Sequence, residues 1–247
     1  MNEMEARRYR ILGVLGKGGF GKVYRASLEG PEGFYKDVAI KLLRDSDVPE
    51  STLQRFRDEA RILGLVRDRA ILSVDPPTRL GGRWAVVMEY VDGVSAARLM
   101  RLQPMPPPVA LEVIQEVARA LDKVYRHPGP DGAQLHLIHR DIKPGNIQVT
   151  PSGEVKLLDF GIARAKFAQR EAETTRHIGG TFGYIAPERL SGFEGPEGDV
   201  YSLGVVLHVL ITGDKPTRPG QFAPRRHYVE RTPHVLMVLE FAKAMMR

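Results

Sequence analysis

The sequence predicts an α+β chain of two lobes, a small β-rich amino-terminal lobe followed by a larger, mainly helical one. Three observations carry that expectation. Residues 9–43 hold three β-type runs separated by glycine-rich turns. Beyond Pro106, the apolar residues Val113, Ile114, Val117, Ala118, Leu121 and Val124 recur at helical spacing. Residues 199–212 are almost wholly apolar, the pattern of a helix buried on every side. With 43% hydrophobic and 27% charged residues, 247 residues suffice for a sizeable core.

Residues 9–15 and 22–28 flank the cluster Gly16-Lys17-Gly18-Gly19-Phe20-Gly21 and read as strands. Gly30-Pro31-Glu32-Gly33 turns the chain into a third strand, residues 37–43. Asp47 with Glu50 three residues on resembles a capping box, Pro49 suits the first helical turn, and Leu53, Phe56, Ala60 and Leu63 form the apolar face. Residues 83–90 are a β-rich apolar run, which Asp92-Gly93 breaks. The helix that Pro106-Pro107-Pro108 opens leads into a surface loop at His127-Pro128-Gly129-Pro130-Asp131-Gly132. Residues 147–150 and 154–158, joined by Pro151-Ser152-Gly153, form a hairpin; Gly213 stops the buried helix, and residues 235–246 read as another.

Composition excludes several classes of function. No cysteine occurs, so there is no disulfide, no Cys-ligated zinc and no thiol nucleophile, which suits a cytoplasmic location. The chain shows no leader pattern, and its longest apolar stretch, residues 200–211, is too short to span a bilayer and contains His208, so no membrane segment is expected in it. The 36 Lys and Arg exceed the 30 Asp and Glu, yet they interleave, as in Arg55-Phe56-Arg57-Asp58-Glu59, which reads as a solvated face and not as a nucleic-acid surface.

The chemistry lies in four places. Gly16-x-Gly18-x-x-Gly21-x-Val23 is a weak signal alone. A dinucleotide-binding loop would need a helix to start at its last glycine and an acid about 20 residues on, near Asp37. The alternating run Lys22-Val23-Tyr24-Arg25-Ala26-Ser27 instead suits a strand–loop–strand flap whose backbone N–H groups approach phosphate. Lys41 closes the apolar strand Val38-Ala39-Ile40-Lys41, and Glu59 lies on the apolar face of its helix; the two charges either pair structurally or serve a charged ligand. His139-Arg140-Asp141-Ile142-Lys143-Pro144-Gly145-Asn146 precedes the hairpin and Asp159-Phe160-Gly161 follows it, which sets Asp141, Asn146 and Asp159 at the ends of neighbouring strands as oxygen ligands suited to Mg²⁺.

Taken together, these motifs resemble the eukaryotic-type protein kinase family, closest to bacterial serine/threonine kinases of the Hanks type, over residues 9–247. The resemblance implies one bilobal kinase domain over residues 1–247, with an N-lobe of about 1–88, a hinge of about 89–93, a C-lobe of about 94–247 and the ATP cleft between the lobes. It implies that Gly16, Gly18 and Gly21 cover the ATP phosphates, that Lys41, held by Glu59, meets the α- and β-phosphates, and that Asn146 and Asp159 bind Mg²⁺. Leu15, Val23, Ala39, Met88, Glu89, Val91 and Gln148 would surround adenine, with Met88 as gatekeeper and backbone groups of Glu89 and Val91 on the base. Asp141 would accept or orient the substrate hydroxyl proton. Lys143 is the serine/threonine form of the loop, where tyrosine kinases of this pattern carry Arg and Ala. Thr181 would contact Asp141 and Lys143, and Asp199 would brace the catalytic-loop backbone. Arg140 implies an activation-segment phosphate, with Thr174 and Thr175 as candidate autophosphorylation sites, although both also read as exposed loop threonines.

The sequence departs from the family in two respects. Gln148 stands where an apolar floor beneath adenine is usual. The resemblance also implies helices beyond residues 235–246, and an Arg there to pair with Glu188 of Ala186-Pro187-Glu188, which this sequence does not include. The resulting expectation is an ATP- and Mg²⁺-dependent protein serine/threonine kinase acting on Ser and Thr hydroxyls of proteins, with a homodimer allowed by the resemblance. Two other readings stand beside it: a pseudokinase or scaffold that binds nucleotide and partners, and a small-molecule kinase, which generally lacks Ala186-Pro187-Glu188 and the Thr181 element.

Overall fold

The structure, a computed structural model, describes residues 7–18, 21–43, 54, 57, 63–129, 132–160 and 182–214. The chain divides into two compact units, residues 1–67 with 72–91 and residues 68–71 with 92–247.

In the first unit the strands are β1 (Arg8–Gly18), β2 (Gly21–Glu29), β3 (Tyr35–Leu43), β4 (Thr78–Leu80) and β5 (Arg83–Glu89). They form one antiparallel sheet in the order β1-β2-β3-β5-β4. Side chains alternate along β3, so Val38 and Ile40 turn to a core shared with Ala26, Ala85 and Val87. Ala39 and Lys41 occupy the opposite face. Each large apolar side chain buried here contributes about 1.5–3 kcal/mol of transfer free energy.

Two features of this sheet differ from the sequence reading. β1 runs through Gly16 to Gly18, because β2 pairs with it as far as Gly18 opposite Gly21. β4 was not anticipated, although its signal is present: Gly81 and Gly82, at φ 56° and 82°, make the two-residue turn that joins Leu80 to Arg83. The helix expected around Leu53 to Leu63 is described only at Gln54 and Arg57, both helical, and at Leu63, which is buried; Asp47, Pro49, Glu50, Leu53, Phe56 and Ala60 lie outside the described residues.

The second unit contains a three-stranded sheet of β6 (Val94–Ser95), β7 (Ile147–Val149) and β8 (Val155–Leu157), in that order. Its helices are α1 (Ala96–Leu99), α2 (Pro107–Tyr125), α3 (Pro187–Leu190) and α4 (Glu197–Thr212). The Ser95 hydroxyl caps α1 by accepting the Arg98 N–H at 3.3 Å. α2 begins with proline in its first turn and buries Ala110, Val113, Ile114, Val117, Ala120 and Val124 along one stripe facing α4.

α4 is buried on nearly every side, as its composition predicts, and Gly213 ends it at φ 75° with its N–H on the Val209 carbonyl at 2.8 Å. Residues 68–71 belong to this unit. Asp68 pairs with Lys123 and Arg69 with Glu116, both on α2, and the Leu157 N–H donates to the Ala70 carbonyl. The helix expected at residues 235–246 lies outside the described residues.

Candidate active site

In the first unit, strand register decides which side chains meet. Val23 lies opposite Lys41, Lys41 opposite Val86, and Ala39 opposite Met88. Cross-strand partners share a face, so Val23, Ala39, Lys41 and Met88 form one patch on the face away from the core. Ala39 and Met88 are buried, Lys41 and Val23 half-buried, and Leu15 exposed. The Glu89 N–H donates to the Ser73 carbonyl at 3.0 Å, while the Glu89 carboxylate accepts the Ser73 N–H at 3.2 Å, which fixes the end of β5. Val91, two residues beyond Glu89, is half-buried.

The glycines do different work. A Cβ at Gly16 would meet nothing within 4 Å, so the β1 backbone is approachable there. At Gly21, φ is 153° and a Cβ would stand 1.9 Å from the Leu42 carbonyl oxygen, so glycine is needed for β2 to close onto β3. Gly18 is the last residue of β1. Glu59, Gly161, Thr174, Thr175 and Thr181 lie outside the described residues.

In the second unit, residues 139–146 bring together the acid, the base and the amide that the sequence singled out. Lys143 Nζ donates to Asp141 Oδ2 at 2.7 Å, and Asn146 Nδ2 donates to the same oxygen at 2.9 Å and to the Asp141 carbonyl at 2.8 Å. Two donors on one oxygen, each charged or charge-assisted, fix the orientation of that carboxylate. Because the Asn146 nitrogen faces Asp141, its amide oxygen is the atom left to meet a cation. Asp159 follows β8 at φ 52°. Amide and carboxylate oxygens are ligands that a hard divalent cation accepts, so the donor set fits such an ion. Among the described residues no group of three or more His, Cys, Asp or Glu side chains gathers for a metal.

His139 organises this loop from beneath. Its ring is fully buried, and its centroid lies 4.5 Å from that of Phe160. The Asp141 N–H donates to His139 Nδ1 at 3.2 Å, so Nε2 carries the proton and donates to the Leu158 carbonyl at 3.0 Å. Burial pushes the imidazole below its ordinary value, against the opposing pull of Asp199 and other acids. Asp199, buried near the start of α4, accepts the backbone N–H of His139 at 2.7 Å and of Arg140 at 3.0 Å.

Arg140 stands at φ 68°, unusual for a residue with a Cβ. Its Nε donates to Glu194 Oε2 at 2.7 Å. The sequence reading assigned Arg140 to a phosphate; in this structure a carboxylate of the chain engages it. Glu188 is exposed and makes no ion pair among the described residues, whereas its neighbour Arg189 is buried against Asp199. Sequence reasoning missed His139, Arg189 and Glu194. Only His139 had a local signal, its place beside Arg140-Asp141. Near Tyr184, whose phenol burial pushes up to about 12, the Ser202 hydroxyl of α4 donates to the Tyr184 carbonyl at 2.7 Å.

Gln148 lies in β7, opposite Ser95 of β6 and Lys156 of β8. Its Oε1 is buried without a hydrogen-bond partner among the described residues. An orphaned carbonyl oxygen of this kind is where a bound group with an N–H could be received.

This arrangement of strands, loop acid and metal-type oxygens is that of a protein kinase catalytic domain. A family model of the protein kinase domain matches residues 9–244, and the chain belongs to that family. It is 36% identical over 216 residues to the serine/threonine-protein kinase PknB of Mycobacterium leprae, covering 85% of this chain and 33% of that protein. It is 33% identical over 220 residues to the tyrosine-protein kinase MasK of Myxococcus xanthus, covering 84% of this chain and 33% of that protein. Among solved structures it is similar to the PknI kinase domain of Mycobacterium tuberculosis, with 26% identity, a TM-score of 0.68 and coverage of 96% of this chain and 94% of that one. The chain spans about a third of the length of the curated relatives it matches. Among the described residues no helix is long and apolar enough to cross a membrane.

Proposed function

We propose that this chain is a protein serine/threonine kinase that transfers the γ-phosphoryl group of ATP to Ser and Thr hydroxyls of proteins, with Mg²⁺ as the metal. The observation that carries the reading is the Asp141 carboxylate, bonded on one oxygen by both Lys143 and Asn146 and backed by His139. Asp141 orients the attacking hydroxyl and takes its proton as the oxygen bonds to phosphorus and the β–γ bridging oxygen leaves with ADP. Lys143, on the same carboxylate, is placed to offset charge on the transferred group. Val23, Ala39 and Met88 supply an apolar face for adenine, and Lys41 on that face holds the phosphates, with Glu59 as its partner. The approachable backbone at Gly16 suits a loop that covers phosphate, together with Gly18 and Gly21. Asn146 and Asp159 would hold the metal, which supplies charge neutralisation between the phosphates when bound. Leu15, Glu89, Val91 and Gln148 complete the nucleotide set in this reading, Thr181 contacts Asp141 and Lys143, and Thr174 and Thr175 take phosphate from the kinase itself. The lack of cysteine in all 247 residues supports a cytoplasmic location.

The relatives bear names of both hydroxyl classes, and Lys143 favours serine and threonine. The test is intact mass after incubation with Mg-ATP, beside an Asp141→Asn control, followed by fragmentation. Phosphate-sized gains in the wild type only, on Thr or Ser, are expected. Gains confined to Tyr would overturn the hydroxyl class. Nucleotide binding without any gain would make the chain a pseudokinase.

A further inference from the structure

The carboxylate of Asp199 serves three donors in a buried place. It accepts the His139 N–H on Oδ2, and on Oδ1 the Arg140 N–H together with Arg189 Nη2 at 2.9 Å. Only 7% of the Asp199 side chain and 8% of the Arg189 side chain are exposed, so neither charge is compensated by water. Two backbone amides alone would leave Asp199 a buried, unneutralised anion.

The seat of Arg189 is built to its shape. A Cβ on Gly198, the residue before Asp199, would stand 2.3 Å from Arg189 Nε and 2.6 Å from Cζ, so only glycine lets the planar guanidinium lie against the start of α4. Nη2 also reaches the Gly195 carbonyl at 3.4 Å, and Nε is buried without a partner among the described residues. A cation locked with one nitrogen orphaned is held there by Asp199.

Arg140 shows what this pair stabilises. A non-glycine residue at φ 68° costs on the order of 1–3 kcal/mol and persists only where its surroundings over-determine it. Three bonds do so: Asp199 on its N–H, Glu194 on its guanidinium, and His139 on the N–H of the next residue, Asp141. If Asp199 turned, Arg140 could relax and re-aim Asp141.

The geometry points to Arg189 as a positioning residue for phosphoryl transfer. It neutralises and orients Asp199, which holds the 139–140 backbone that aims Asp141. This inference rests on the kinase reading for its activity arm and on the structure alone for its exchange arm.

The test compares the full chain with Arg189→Met, Arg189→Lys and Gly198→Ala, by amide hydrogen exchange, urea midpoint and steady-state kinetics with Mg-ATP and a threonine peptide. Arg189→Met is expected to speed exchange at the His139 and Arg140 amides about tenfold, the order expected when a hydrogen-bonded charge is lost, with exchange inside α2 unchanged. Its kcat should fall about tenfold with KM for ATP within about twofold, the signature of misaimed chemistry. Arg189→Lys keeps the charge but loses the planar fork and should recover part of kcat. Folded Arg189→Met with wild-type exchange at both amides overturns the inference. So does faster exchange spread evenly through α2 and α4, which would make Arg189 merely structural. Should Arg189→Met fail to fold, Gly198→Ala decides: its methyl displaces the guanidinium, and unchanged amides and kcat there refute the assignment. A wild type without kinase activity refutes the kinase reading instead, and the exchange result still settles the role of Arg189.

Discussion

The buried imidazole of His139 makes the stability of this domain sensitive to mild acid. In the folded chain the ring is neutral, accepting from Asp141 and donating to Leu158, and burial lowers its affinity for a proton. In the unfolded chain it titrates near the ordinary histidine value of about 6.5. The folded value is the lower one, so the stabilisation is fully present above pH 6.5 and is lost as pH falls through and below that point. Each pH unit by which the folded value lies below the unfolded one is worth about 1.4 kcal/mol of stability, and that stabilisation is gone once pH has fallen below both values.

The assay has two parts. Urea midpoints from pH 7.5 to 5.5 read the stability, and the ¹⁵N shifts of labelled histidine read protonation and tautomer directly. The expected spectrum has one imidazole protonated on Nε2 alone and not titrating at pH 6.5. An imidazole assigned to His139 that titrates at or above 6.5, or that carries its proton on Nδ1, would refute the reasoning. A proton on Nδ1 is incompatible with the Asp141 N–H bond, and titration at or above 6.5 would mean that burial does not disfavour the charged ring.

Three other outcomes follow from packing. Gly21→Ala should destabilise the domain by about 2 kcal/mol or more, since its methyl meets the Leu42 carbonyl and φ is unfavourable; an unchanged urea midpoint would contradict the β2–β3 closure. Leu207→Ala, in the fully buried centre of α4, should cost about 2–5 kcal/mol by the same measurement. Gln148→Leu should raise the stability of the nucleotide-free protein by about 1–3 kcal/mol, because it removes a buried oxygen that lacks a donor; a loss would mean that the oxygen is already satisfied.

Much of this was legible in the sequence because it is written locally. Alternation predicts β2, β-rich apolar runs predict β3 and β5, the apolar stripe predicts α2, and the nearly unbroken apolar run with Gly213 predicts α4 to within two residues of its observed start. Asp141, Lys143 and Asn146 sit within six residues, so their convergence on one oxygen follows from a tight turn, the 3₁₀ segment Pro144–Asn146. β4 is short and lacks alternation, and only its Gly81-Gly82 turn betrays it. Arg189–Asp199 and Arg140–Glu194 join residues that no periodicity links. The apolar face of α4 could have raised the question of what balances Asp199, but only the fold names Arg189.

The loop of residues 139–141 also explains why an almost wholly apolar helix packs beside it. Residues 139–141 belong to no helix or strand, so no ladder of backbone bonds holds them. Their N–H groups are given to side chains instead, two to Asp199 and one to His139, and Asn146 takes the Asp141 carbonyl. A loop held by side chains is only as well placed as the elements that carry them. Asp199 is carried by α4, whose residues from Leu203 to Ile211, His208 excepted, include no polar side chain that could compete for water. Close-packed apolar surroundings resist small displacements, so the interior of α4 transmits its rigidity through one carboxylate to residues 139–141. The backbone of residues 139–141 is therefore held from α4 and from His139, while Lys143 and Asn146 fix the Asp141 carboxylate itself.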